Sequence, residues 1–163
     1  MPYWQLFYHI VWATKNRETI LTPDIEPMIH NFIRTKAIGL GATIFAINGW
    51  EDHVHITASV RPSIALSQFI GQIKAVATAE FNHSGHPKAP IYWQDEYSVF
   101  SFDYRRLPYY IRYVEQQKEH HRNSTIILPL ERTSGDGIGM IKEYTEGYLP
   151  DIESWFAEFE GEE

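Results

Sequence analysis

His53-Val54-His55 sits in an apolar, β-branched run that continues through Ile56, Thr57, Ala58, Ser59 and Val60. That composition predicts a strand. On a strand, residues i and i+2 point to the same face, so both imidazoles project together, about 7 Å apart along the backbone. Two imidazoles converging on one point can hold a divalent metal. The pair alone is weak, because histidines at this spacing occur in many strands by chance. Tyr113 and Gln117 strengthen it. Four residues apart on a helix, they share a face. Tyrosine is a poor nucleophile at its free pKa of ~10. It becomes useful when a metal polarises its target, such as a phosphodiester. The glutamine carbonyl is a suitable hard ligand for Mg²⁺ or Mn²⁺. A helix beside the histidine strand would then supply a third ligand and a nucleophile.

The elements that must position these groups follow from periodicity and breakers. Residues 3–14 are dense in aromatic and β-branched side chains and predict a buried strand. Pro23, with Asp24 and Glu26 behind it, opens a helix carrying Ile25, Met28, Ile29, Phe32, Ile33 and Lys36, stopped by Gly39 and Gly41. Residues 42–48 predict a second strand, residues 49–52 a turn, and the histidine strand its hairpin partner. Pro62 and Ser63 open a helix whose apolar face runs from Ile64 to Ala77. Residues 82–90 predict a loop and residues 91–103 a fourth strand region with a polar interruption at Gln94-Asp95-Glu96. Pro108 starts the tyrosine helix, expected to end near His121. The order β-α-β-β-α-β predicts an α+β fold: a ferredoxin-like antiparallel sheet with helices on one face, the tyrosine helix being an addition.

Past Pro129, residues 133–139 read as a linker. Beyond Pro150, Ile152, Trp155, Phe156 and Phe159 fall at i, i+3, i+4 and i+7, which predicts a C-terminal acidic amphipathic helix. The expected division is a domain over 1–130 and a linker with acidic helix over 131–163. The formal net charge of −7 argues at first against a nucleic-acid partner. Its distribution removes the objection. Residues 1–125 carry 12 Lys+Arg against 11 Asp+Glu, whereas residues 126–163 carry 2 against 10. The body is near neutral and the tail holds the acidity.

At 163 residues the chain can bury one sizeable core. Its 15% aromatic content fits an aromatic core first and base-stacking rings second. With no cysteine, disulfides, cysteine-ligated zinc and thiol nucleophiles are excluded. No apolar run approaches a membrane span and no secretory signal is visible, so a soluble cytoplasmic protein is expected.

His53-Val54-His55 followed by Tyr113-Val-Glu-Gln-Gln117-Lys-Glu-His-His121 resembles the HUH single-tyrosine transposases of insertion sequences, including the REP-associated tyrosine transposases. The run from Tyr3 to Arg17 is similar to that family's opening strand, and the run from Trp93 to Ser101 to its strand before the tyrosine helix. The resemblance covers roughly residues 3–130, with four segments in the family's order. It implies that His53, His55 and Gln117 bind a divalent metal, Mg²⁺ or Mn²⁺. It also implies that Tyr113 attacks single-stranded DNA, leaving a 5′-phosphotyrosine link and a free 3′-OH. Hairpin DNA as partner, a homodimer, and no need of a nucleotide cofactor are further implications.

Other residues carry two readings. Tyr109 and Tyr110 neighbour Tyr113 and fit the core; only Tyr113 has glutamine at i+4. Asp52 is either a metal neighbour or, preferably, a turn residue. His120 and His121 either orient DNA or close the helix as cations on its dipole. Lys15, Arg17, Arg105, Arg106, Arg112 and Lys118 are phosphate-contact candidates, though such residues are usually solvated surface charge. The leading function is a transposase-like nicking and joining enzyme. Its rivals are a domesticated DNA-hairpin-binding protein and a metal-dependent hydrolase that uses activated water and not Tyr113. The acidic tail is expected to weaken non-specific DNA binding by repulsion.

Overall fold

The computed structural model describes residues 1–134 and, beyond them, Ala157 alone. The expected acidic helix and most of the expected linker therefore lie outside the described residues. Four strands, β1 (Phe7–Ala13), β2 (Thr43–Trp50), β3 (His53–Ser59) and β4 (Ser98–Phe102), form one sheet in the order β2-β3-β1-β4, with every pair antiparallel. Two helices, α1 (Glu26–Gly39) and α2 (Leu66–His83), complete the expected β-α-β-β-α-β order. Three more follow: α3 (Leu107–Glu115), α4 (Gln117–Arg122) and α5 (Leu128–Glu131). No helix among the described residues is long and apolar enough to cross a membrane.

Strand parity divides the sheet into two working faces. Ile10, Trp12, Val54, Ile56 and Ala58 point to one side and join α1 and α2 in a single apolar cluster with Ile29, Ile33, Phe69, Ile70 and Ile73. The other side carries His9 and Val11 of β1, opposite Thr57 and His55 of β3. There Tyr110, Tyr113, Ile127 and Leu130 make a second, smaller core. The α1–α2 layer thus lies on one face as expected, and the added helices cover the other. All seven residues of β3 are buried because both faces are covered.

Element limits differ from expectation for physical reasons. β1 begins at Phe7, not residue 3, since Phe7 pairs with the last residues of both neighbours, Ser59 and Phe102. Upstream, Tyr3 stays 85% exposed. α2 begins at Leu66, after residues 61–65 have made a turn beyond Pro62. β4 is five residues long because the chain before it is held by Lys74. Its Nζ donates to the carbonyls of Gln94 (2.6 Å), Asp95 (3.3 Å) and Glu96 (3.2 Å), so these groups are satisfied without a strand partner. Trp93 keeps one isolated bridge to Thr14. The tyrosine helix is broken at Gln116 into α3 and α4.

The β2–β3 hairpin turns through Glu51 and Asp52. Gly49 is required there, because a Cβ at that position would collide with the His53 carbonyl. Lys118 ties α4 to this corner: its Nζ donates to Glu26 Oε2 (2.7 Å), Asn48 Oδ1 (2.9 Å) and the Gly49 carbonyl (2.6 Å).

His30, on α1, has a buried Nε2 with no hydrogen-bond partner among the described residues. Burial, aided by the positive charges of Lys118 and Arg34, pushes its pKa from 6.5 down to about 3. The unfolded chain therefore takes up this proton first. The neutral ring's contribution is complete above the unfolded value and is lost as pH falls from about 6.5 toward 3, at ~1.4 kcal/mol per unit. His30→Gln should accordingly gain stability relative to the wild type between pH 7 and 4 in urea unfolding; a constant difference would refute the assignment.

Candidate active site

β3 sets the site. His53 and His55 lie on the face toward α3–α5, with ring centroids 4.9 Å apart. In the register, Trp50 of β2 sits opposite His53, while Asn48 of β2 and Val11 of β1 flank His55. Asp52, in the hairpin turn, accepts a hydrogen bond from His53 Nδ1 at 2.6 Å and faces Arg17 Nη1 at 3.3 Å. The turn residue therefore also orients the first histidine, leaving Nε2 to face the interior.

The structure brings a carboxylate to this point that the sequence did not single out. Glu131 Oε2 lies 3.0 Å from His53 Nε2, 2.9 Å from His55 Nε2 and 3.4 Å from His121 Nε2. Its other oxygen, Oε1, accepts from the Tyr113 hydroxyl at 2.5 Å. The Tyr113 oxygen in turn accepts the Ile127 N–H at 3.0 Å. Tyr113 is completely buried, and the His120 ring stacks on it at 4.6 Å.

His9 was missed as well. Its Nε2 lies 3.1 Å from His55 Nδ1 and 3.1 Å from the Leu130 carbonyl. A single Nε2–H shared between those acceptors leaves His55 protonated on Nε2, donating to Glu131. The signal for His9 was present in principle, as a histidine inside an apolar strand, but only the β1–β3 register makes it a neighbour of His55. The signal for Glu131 was the proline in Leu128-Pro129-Leu130-Glu131, which marks a short helix. Glu131 is the first residue past the expected boundary at 130.

Charge follows from these contacts. Burial holds His9 near pKa 3 and His55 near 4, so both are neutral at pH 7. His53 is raised: burial opposes the charge, but Asp52 and Glu131, one at each ring nitrogen, outweigh it. Burial also works against the Glu131 anion, yet the surrounding imidazoles hold it far below the usual carboxylate range. Tyr113 is pushed well above its ordinary value by burial and by the adjacent Glu131 charge.

Gln117, the expected third ligand, is buried beneath the same helices, and neither amide atom has a hydrogen-bond partner among the described residues. The donors that do converge are His53, His55 and Glu131, whose ligand atoms all lie within 4.8 Å of one another. Two imidazoles and a carboxylate suit a divalent cation. The surroundings also call for positive charge, since two carboxylates flank His53. An orphaned Gln117 oxygen offers a further hard donor.

The basic candidates separate. Arg17 lies beside the site on Asp52 and Thr133. Lys15 is exposed just before it. The Lys118 ammonium is committed to three acceptors, as described above. Arg105 and Arg106 precede α3, about 10 Å of helix rise or more from Tyr113; Arg106 lies 5.9 Å from the Tyr109 ring.

Comparison with known proteins gives the family and the fold. Residues 2–117 match the family model described as "Transposase IS200 like". The ISDra2 transposase TnpA of Deinococcus radiodurans is 24% identical over 122 residues, 71% of this chain and 86% of that protein. Two solved structures share the fold. One, assigned to a transposase from Deinococcus radiodurans R1, superposes with a TM-score of 0.55 at 23% identity, covering 72% of this chain and 95% of that one. The other, a REP-associated tyrosine transposase bound to a REP hairpin, gives a TM-score of 0.56 at 16% identity, covering 74% of each.

Mn²⁺ titration of the full chain by calorimetry, without DNA, tests the donor set. His53→Ala, His55→Ala and Glu131→Ala should each weaken binding at least about tenfold. Gln117→Ala should stay within about threefold, because its oxygen is outside the converging set.

Proposed function

The chain belongs to the IS200-like transposase family, and on that premise we propose that it nicks and rejoins single-stranded, hairpin-bearing DNA through Tyr113. The observation that carries this reading is one carboxylate. Glu131 holds the Tyr113 hydroxyl with one oxygen and faces both strand histidines with the other. Nucleophile and candidate metal donors therefore meet at one point.

The Tyr113 oxygen attacks the scissile phosphorus. A P–O bond to tyrosine forms and the P–O3′ bond breaks, giving a 5′-phosphotyrosine and a free 3′-OH. In the closed arrangement the phenolic proton is held by Glu131 Oε1; once that carboxylate withdraws, the proton leaves to solvent as the bond to phosphorus forms, and the departing 3′ oxygen takes one from solvent. His53 and His55 would hold the divalent ion, Mg²⁺ or Mn²⁺, with Glu131 as the third protein donor while DNA is absent and the unpartnered Gln117 oxygen available once that carboxylate withdraws. When bound, that ion polarises the phosphodiester and offsets charge developing on it. Asp52 and His9 fix the two imidazole rings from behind. Attack by a second 3′-OH on the phosphotyrosine reverses the chemistry and joins strands, so bond energy is retained. The buried hydroxyl sets a condition: the segment carrying Ile127 and Glu131 has to withdraw before a phosphodiester can reach Tyr113. Arg17 and Lys15, at the edge of the site, are the basic residues best placed to meet the DNA backbone.

Incubation with hairpin-bearing single-stranded DNA and Mn²⁺ should give a denaturation-resistant protein–DNA adduct. Tyr113→Phe should abolish it, and His53→Ala should slow it at least about a hundredfold. Cleavage that survives in Tyr113→Phe would indicate a hydrolase using activated water. Binding without cleavage by the wild type would indicate a hairpin-binding protein.

A further inference from the structure

His121 lies in the last turn of α4, four residues after Gln117, and its ring is fixed by contacts that capping a helix would not require. It stacks flat on Trp50, with centroids 5.1 Å apart and planes 8° from parallel. Trp50 is itself set by its pairing with His53 across the hairpin. The His121 ring also stands 4.9 Å from the His53 ring. Held this way, Nε2 points inward and has no hydrogen-bond partner among the described residues. It stops 3.4 Å from Glu131 Oε2, the oxygen that His53 and His55 also face. It is not part of the triad of donors lying within 4.8 Å of one another. Its side chain is 17% exposed, against 3% for His53 and 0% for His55, so it is the least buried of the three imidazoles facing that oxygen.

A buried ring nitrogen without a partner is costly, and stacking on Trp50 keeps this one from turning away to find one. The point it faces already holds one oxyanion. Building on the transposase reading above, we propose that His121 is a catalytic residue that contacts the substrate. Its Nε2–H donates to a non-bridging oxygen of the phosphodiester that Tyr113 attacks, in the place where the Glu131 carboxylate now stands. No proton is transferred by His121. As the bond from Tyr113 forms and the bond to O3′ breaks, charge on the non-bridging oxygens changes, and a preorganised donor there favours the transition state. Trp50 contributes by holding the ring plane.

Two variants separate the donor from the stack. His121→Phe keeps the aromatic ring on Trp50 and removes the N–H, whereas His121→Gln removes the ring and keeps an N–H at similar reach. With the full chain, hairpin-bearing single-stranded DNA and Mn²⁺, His121→Phe should slow single-turnover adduct formation by about 10²-fold. His121→Gln should recover about tenfold of that loss or more. Calorimetric Mn²⁺ affinity without DNA should stay within about twofold of wild type in both. The proposal is overturned if His121→Phe forms adduct at the wild-type rate, or if Mn²⁺ affinity falls tenfold, which would make His121 a ligand. It is equally overturned if His121→Gln is no faster than His121→Phe. A wild-type protein that forms no Tyr113-dependent adduct removes the transposase reading and this one together; the other failures leave the transposase reading standing.

Discussion

A carboxylate buried beside a sheet is tolerable only where donors surround it, and Glu131 is the group this side of the molecule is built around. Isolated burial of such a charge costs several kcal/mol. Here the Tyr113 hydroxyl and the imidazoles of His53 and His55 face its two oxygens. Four elements are thereby tied to one charge: α5 supplies the carboxylate, β3 the histidines, α3 the tyrosine, and α4 the more distant His121. The apolar contribution is small by comparison, since the core under these helices consists of Tyr110, Tyr113, Ile127 and Leu130 with a few partly buried neighbours. Polar convergence, more than hydrophobic area, fixes where the short helix α5 lies. The Leu130 carbonyl reinforces it by reaching His9 on β1.

The other face of the sheet supplies the stability that this arrangement draws on. Ile10, Trp12, Val54 and Ile56 pack against α1 and α2 in the larger cluster, so the strand that carries the histidines is anchored by its alternate residues. That division allows β3 to present polar groups inward on one side without losing its place in the sheet. Two lysines act as tethers at the margins. Lys118 holds α4 to α1 and to the end of β2, and Lys74 gathers three successive carbonyls ahead of β4. Lys118 had an ordinary surface-charge reading in the sequence and Lys74 was not singled out, yet each is largely buried and multiply bonded.

What was legible in the sequence was what periodicity and local spacing encode. His53 and His55 share a face because strand geometry requires it, and the β-α-β-β-α-β order follows from breakers and apolar runs. The placement of Tyr113 opposite the histidine strand followed from its resemblance to a family and not from spacing. What stayed hidden depended on contacts between distant segments. His9 becomes a neighbour of His55 only through the antiparallel register, 46 residues apart. Glu131 reaches the site through its contacts with Tyr113, His53 and His55, which no local pattern near residue 131 announces. The break at Gln116 was invisible because the residues around it are ordinary helix formers. The shortening of β4 required knowing that Lys74 would take the carbonyls of residues 94–96.

The acidic balance of the chain takes on a different meaning at this scale. Charge counted over long segments separated a near-neutral body from an acidic tail, but the acid that matters most to the site is a single buried residue. A phosphodiester and the Glu131 carboxylate are both anions, and they would draw on the same imidazole and phenol donors. At close range in a poorly solvated pocket, like charges repel by more than one such donor returns. On the proposed reading the two would therefore exclude one another from that point and exchange places there. The carboxylate also covers the Tyr113 hydroxyl, so an exchange that admitted a phosphodiester would also uncover Tyr113. Asp52, at the outer edge of His53, would remain to balance the positive charge of that ring, which gives the second carboxylate a role although it does not touch the tyrosine.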